Sequence, residues 1–330
     1  MSARNRFLLT SAIAVMVVFF LLSKLNDPSN IVDTVRRIPI KILLFAFVIY
    51  FLSLPFKAMR FRLILGVNVK LHRLVSIVSL QTFWTNILPM RTGEFSYVYL
   101  LRRDEKVPAA KGIASLLSAS IIDILLILLA MSATAWGFRL ELLEQSNLSY
   151  WLLFVLPLIG ISVILSAGIV LLLLPNAVCG GVKWVESLSS RIRMAVLVRL
   201  VESFAGLLRE VTTLPFNWQL LGIIGCSIAN LGLRFIMQCY LVTSMQMNLG
   251  ILEIIFALSL TSFFNMFPIQ TVGNFGTVEV PWILAFTVLG ISRDNAIISA
   301  FSLHILTLLF SLLLGAYGAI SKSALFRKTD

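Results

Sequence analysis

Apolar runs close to the length of a bilayer crossing divide this chain: Phe7 to Ser23, Ile42 to Pro55, Gly112 to Trp136, Trp151 to Leu174, Trp218 to Val242 and Ala296 to Ile320. About 20 apolar residues in a helix cross about 30 Å of hydrocarbon, and most of these runs approach or exceed that length. A backbone surrounded by lipid must satisfy its own hydrogen bonds, so helices are the expected element throughout. With 59% hydrophobic and only 13% charged residues among 330, the chain lacks the polar surface that a water-soluble domain requires.

The charges that remain are mostly basic and lie in short stretches beside the apolar runs, for a net +12. No separate basic domain exists, which argues against a nucleic-acid partner and for topology signals and contacts with anionic headgroups. Arg4 and Arg6 place the N terminus in the cytoplasm, and no small-residue cleavage site follows the first run, so it is expected to remain as an anchor. Lys57, Arg60, Arg62, Lys70 and Arg73 follow the second run and read as a cytoplasmic cluster, with Arg60 and Arg62 snorkelling to the interface. Arg102, Arg103, Lys106 and Lys111 read as cytoplasmic too, and so do Lys322, Arg327 and Lys328 near the C terminus. The cell (inner) membrane is the expected location. Cys179, Cys226 and Cys239 have no metal-ligand spacing, and with His72 and His304 they assemble no metal site. No cofactor is expected.

Two polar interruptions break this pattern. "NILPMRTGE" begins at Asn86 and "NMFPIQTVGNFGTVE" at Asn265; each joins asparagine and proline to a glycine-containing break and a glutamate. Proline removes a helix donor and glycine admits left-handed backbone, so a helix should stop and restart at each. The charge pattern makes 74–101 and 251–290 re-entrant hairpins entered from opposite faces, and the span that follows each has a similar sequence. The expectation is an all-α integral membrane protein with about six full transmembrane helices plus two re-entrant broken-helix hairpins in an inverted repeat. It is a single polytopic domain over 1–330: a first repeat at 40–137, a connecting span with an amphipathic cytoplasmic helix at 138–216, and a second repeat at 217–321.

Backbone freed at such breaks survives only against protein or a water-filled cavity, so a polar cavity follows. Arg91 is suited to bidentate binding of phosphate or carboxylate, with Thr92 and Gly93 at the restarting helix N-terminus. Glu94 can pair with Arg91, bind a cationic headgroup or exchange protons. In the second break, Pro268, Gly273 and Gly276 unwind the chain, while Gln270, Asn274 and Thr277 supply hydrogen-bonding groups. Glu279 either caps the next half-helix or serves the site. Arg234, inside the fifth span, either contacts substrate or pairs with Asp123 or a backbone carbonyl. Asp123 and His304 are the candidates for a charge or proton relay, although His304 is as readily a hydrogen bond within the bundle. Gln81, Asn86 and Asn265 are read as interhelical hydrogen bonds.

"FKAMRFRLIL", "NILPMRTGE" followed by "YLLRR", "IIDILLIL", and "FPIQTVGNFGTVE" followed by "LGIS" resemble, in order and spacing, the membrane domain of the lysylphosphatidylglycerol synthase family, the flippase half of the multiple peptide resistance factor and its stand-alone relatives. The resemblance runs from about Phe56 to the C terminus. Tyr97 stands where the family usually has arginine, Ala119 and Ser120 replace an acidic-basic pair, His304 lies near another usual arginine, and Ile269 to Asn274 lack the fuller proline-glycine-glycine run. The soluble aminoacyl-transfer domain of the full synthase has no counterpart before Asp330.

These residues and this resemblance lead to a flippase-like transporter that moves or binds an anionic lipid, phospholipid or polyprenyl-phosphate-linked, in a polar intramembrane cavity. The alternative is a non-catalytic membrane partner that presents a lipid-linked substrate to a separate glycosyltransferase or aminoacyl transferase. An intramembrane enzyme ranks below both, because no nucleophile-base pair is evident. Expected partners are membrane lipids, a membrane enzyme under the second alternative, and a second copy of the chain in a homo-oligomer.

Overall fold

A computed structural model of the chain describes residues 15–25, 27–137, 218–246, 250–267, 269–288 and 291–326. The expected span Trp151 to Leu174, the amphipathic segment 183–213, Cys179 and Pro268 lie outside the described residues. Residues 15–22 are helical. After them come α1 (Ser29–Arg37), α2 (Ile40–Leu65), α3 (Leu71–Ile87), a 3-10 turn (Pro89–Glu94), α4 (Phe95–Asp104) and α5 (Ala109–Gly137). The second part has α6 (Trp218–Ser244), α7 (Ile251–Phe264), a 3-10 turn (Val272–Asn274), α8 (Glu279–Val288) and α9 (Arg293–Phe326).

The described residues form no strand, and four of the helices are long and apolar enough to cross a membrane: Ile40–Leu65, Ala109–Thr134, Trp218–Ser244 and Arg293–Lys322. In α2 the side chains of Ile40, Leu44, Val48, Leu52 and Phe56 recur every fourth residue and are exposed. That row is a continuous apolar stripe on one helix face, the surface that hydrocarbon covers. The opposite face is buried and carries Tyr50, Ser53 and Arg60 among its apolar residues. Greasy outside and partly polar inside, α2 has the pattern of a membrane helix beside a polar interior. The α2 helix stops at Gly66, whose φ of 60° is the left-handed conformation common just past a helix end.

The charge cluster after the second run requires a correction. Lys57 and Arg60 do not follow that span; they belong to it, because α2 continues without interruption to Leu65. Arg60 is only 2% exposed, so it does not snorkel to an interface. A three-residue separation puts Lys57 and Arg60 on neighbouring positions of one helical face, and that face turns inward. Arg62 points elsewhere and bonds the Asn68 side chain at 3.2 Å.

Each break sits in the same order of elements: α3, turn, α4 and α5 in the first part, then α7, turn, α8 and α9 in the second. The helix after each turn has ten residues. Packing follows the same correspondence crosswise, since α3 lies against α9 and α7 against α5, while α2 and α6 pack on each other. Exchange of the two parts leaves this pattern unchanged. Aromatic contacts fasten it, with Phe47 edge-on to Phe310 at 5.5 Å and Phe51 to Tyr317 at 5.0 Å between α2 and α9.

Candidate functional site: two broken helices around a polar cavity

Leu88 is extended, as the residue before a proline prefers, and this ends α3. Met90 and Arg91 then take φ values of 56° and 55°, a conformation that costs non-glycine residues roughly 1 kcal/mol or more each. Two contacts hold them there. The Met90 N–H donates to the Gln270 carbonyl at 2.8 Å, and the Arg91 guanidinium donates to the Met266 carbonyl at 2.8 Å. Both acceptors belong to the second break, so the two interruptions meet and the strain is supported from the other half of the fold. Arg91 also pairs with the Glu94 carboxylate, the first of the three roles open to Glu94.

Gly93 has a packing reason of its own. A Cβ there would lie 2.2 Å from the Trp84 carbonyl carbon, so only glycine lets the turn lie against α3. Thr92 is exposed and donates to the Pro89 carbonyl at 2.7 Å, which makes it a turn residue.

In the second break Gly273, Asn274 and Gly276 have φ values of 63°, 60° and 83°. The Gln270 side-chain amide donates to the Asn265 carbonyl at 2.8 Å, and the Thr277 hydroxyl donates to the Asn274 carbonyl at 2.8 Å. Glu279 is fully buried. One of its oxygens accepts the Gly276 N–H at 2.7 Å, and the other lies 2.6 Å from Nδ1 of His304 on α9. The Gly276 contact has the geometry of a helix cap, and the histidine meets the remaining oxygen.

The cavity beside the breaks has a volume of about 170 Å³, room for on the order of ten waters or one polar headgroup. Of the residues proposed from sequence, Arg91, Glu94, Gln270, Asn274, Arg234 and Asp123 line it. Thr92, Gly93, Thr277, Glu279 and His304 do not. The two relay candidates are engaged with different partners, Asp123 with Arg60 and His304 with Glu279. Arg234 forms no ion pair with a carboxylate among the described residues, and Asp123 pairs with Arg60.

Two cationic lining residues escaped the sequence reading: Lys57, and Arg60, which was placed at the interface. Arg60 also lies 3.4 Å from the Ser227 hydroxyl, and Lys57 donates to the Thr82 hydroxyl at 3.1 Å. The signal was present in the spacing: Ser53, Lys57 and Arg60 stand at helical intervals within an apolar run, as do Asn230 and Arg234.

Four cations (Lys57, Arg60, Arg91, Arg234) face two carboxylates (Glu94, Asp123) across the cavity, which leaves an excess of positive charge. Buried polar atoms without a protein partner concentrate on the same wall: Gln81 Oε1, Thr85 Oγ1, Asn230 Oδ1, Asn265 Oδ1, Gln270 Oε1 and Asn274 Oδ1, with Nε of both Arg60 and Arg91. Buried groups of this kind are normally satisfied by water or ligand, so the wall is built for a hydrated or polar occupant. Tyr97 and Ala119 carry no charge here. Tyr97 is buried with its hydroxyl 3.1 Å from Ser115, and Ala119 lines the cavity.

No curated protein and no solved structure matches the chain. Residues 7–315 match the model of the lysylphosphatidylglycerol synthase TM region. With that match across nearly the whole sequence, and with membrane-length helices around a polar cavity, the chain belongs to the lysylphosphatidylglycerol synthase transmembrane family.

Proposed function

We propose that this membrane protein binds the headgroup of an anionic lipid in the cavity between the two breaks and carries it across the bilayer. The observation that supports this most is the excess of cations over carboxylates on a wall of unpartnered polar atoms. Uncompensated charge inside a membrane protein is costly, and an anionic headgroup offsets it. The acyl chains can remain in the lipid beside the exposed stripes of α2 and α9. Family membership supports a lipid-related role of this general kind. Lipid extracted from gently purified protein should be enriched in anionic species relative to the surrounding membrane; a retained set with the bulk composition would contradict the proposal.

In this arrangement each broken hairpin enters the membrane and returns on the same face, and the two enter from opposite faces. That gives the inverted relation suited to alternating access around a fixed site. Arg102 and Arg293 are exposed at the ends of α4 and α9. Single cysteines at these positions should react with an impermeant reagent from opposite sides of the membrane. Reaction from the same side would rule the inverted arrangement out.

The reading as a non-catalytic partner for a separate transferase shares the binding step and differs only in transport.

A further inference from the structure

Beside the main cavity lies a smaller lobe of about 80 Å³, and every side chain that lines it is polar. Ser53 and Lys57 come from one face of α2, Thr82, Thr85 and Asn86 from one face of α3, and Arg234 from α6. Two cations face this lobe and no carboxylate does. The contrast with the rest of the cavity is chemical. Arg60 and Arg91 are each in direct contact with a carboxylate, whereas Lys57 and Arg234 form no ion pair at contact distance with a carboxylate among the described residues. Lys57 spends one donor on Thr82 and keeps two, and a guanidinium offers five. The Thr85 hydroxyl, at the lobe, has no protein partner and is free to donate.

Resting on the proposal that the cavity takes an anionic headgroup, we infer that this lobe is a site for a doubly charged phosphate, so that the preferred ligand is a phosphomonoester lipid rather than a phosphodiester. A phosphodiester carries one negative charge and would leave one of the two cations unmatched. A terminal phosphomonoester carries about −1.5 to −2 at neutral pH and has three strong acceptor oxygens, which fits the two basic side chains, the Thr85 hydroxyl and the amide N–H groups of Asn86 and Asn230. Three helices supply those groups from stripes at helical spacing, so the site is preformed. The same chemistry is available from a phosphorylated lipid or from phosphate in solution. Lipid is favoured because α2, which supplies Ser53 and Lys57 to the lobe, carries an exposed apolar stripe along its other face.

The test uses full-length protein in detergent, mixed with equal amounts of phosphatidic acid, phosphatidylglycerol and phosphatidylcholine, and reads bound lipid by native mass spectrometry. An additional charge-assisted contact contributes enough to favour phosphatidic acid over phosphatidylglycerol by about 10-fold or more. Lys57→Gln, which can still bond Thr82, and Arg234→Gln should each move that ratio toward unity. Equal retention of the two anionic lipids by the wild type overturns the inference but leaves anionic-lipid binding intact. Retention of neither above phosphatidylcholine overturns both. Displacement of phosphatidic acid by inorganic phosphate at equal concentration supports the dianion site and assigns it to a soluble phosphate. If a variant fails to melt like the wild type, the wild-type ratio alone decides.

Discussion

Asp123→Ala should lower the stability of the fold by about 3 kcal/mol, and Arg60→Met should have an effect of similar size. Arg60 is 2% exposed and its guanidinium meets the Asp123 carboxylate at the middle of α5, so removal of the acid leaves a buried cation with Ser227 as its nearest alternative. Breaking a buried pair on one side costs about 3–5 kcal/mol. The lower end applies here because Asp123 is 24% exposed toward the cavity, where water screens it in part. The double variant Arg60→Met/Asp123→Leu removes both charges together and should regain most of the loss, as replacement of a buried pair by apolar groups often does. Thermal or denaturant unfolding of the four proteins in one detergent measures this. Single variants as stable as the wild type would show that the pair carries no stability.

The membrane-length helices were legible because apolar runs near 20 residues are a strong signal and lipid admits little besides helices. Both breaks were legible for the same kind of reason. Pro89 and Gly93, and Gly273 with Gly276, are residue types whose backbone limits act locally, and the chain departs from regular α-helix at each place. Side-chain partners were less legible. Glu94 and Glu279 occupy similar places in the two breaks, yet one pairs with arginine in the cavity wall while the other is sealed against a histidine. Only the packing of α9 against the second break decides that difference.

Lys57 and Arg60 were misplaced because a basic cluster after an apolar run is normally a topology signal. Here the helix continues past them, and their partners Thr82 and Asp123 lie 25 and 63 residues further along the chain. Nothing local in the sequence marks such a pairing. Gln81, Asn86 and Asn265 were read as ordinary interhelical bonds, and all three line the cavity.

An anionic headgroup carried across the bilayer as proposed passes through the cavity that Arg91 helps to close. Arg91 joins the two breaks through Met266 and presents its guanidinium to the cavity beside Glu94. Hydrogen bonds to charged groups contribute about 1.5–3 kcal/mol, so Arg91→Ala should slow lipid movement by about 10- to 100-fold. Arg91→Lys should restore only part of that loss, because lysine keeps the charge without the planar fork. The direct measurement is the rate at which phosphatidylglycerol labelled on an acyl chain crosses between leaflets in vesicles containing the purified protein. Wild-type vesicles should move it faster than protein-free vesicles, and Arg91→Ala vesicles should be about 10- to 100-fold slower than wild type, with a melting profile that still shows a cooperative fold although the Met266 and Glu94 contacts are lost. Wild-type vesicles no faster than protein-free ones, or Arg91→Ala at the wild-type rate, would rule out carriage of the headgroup past Arg91.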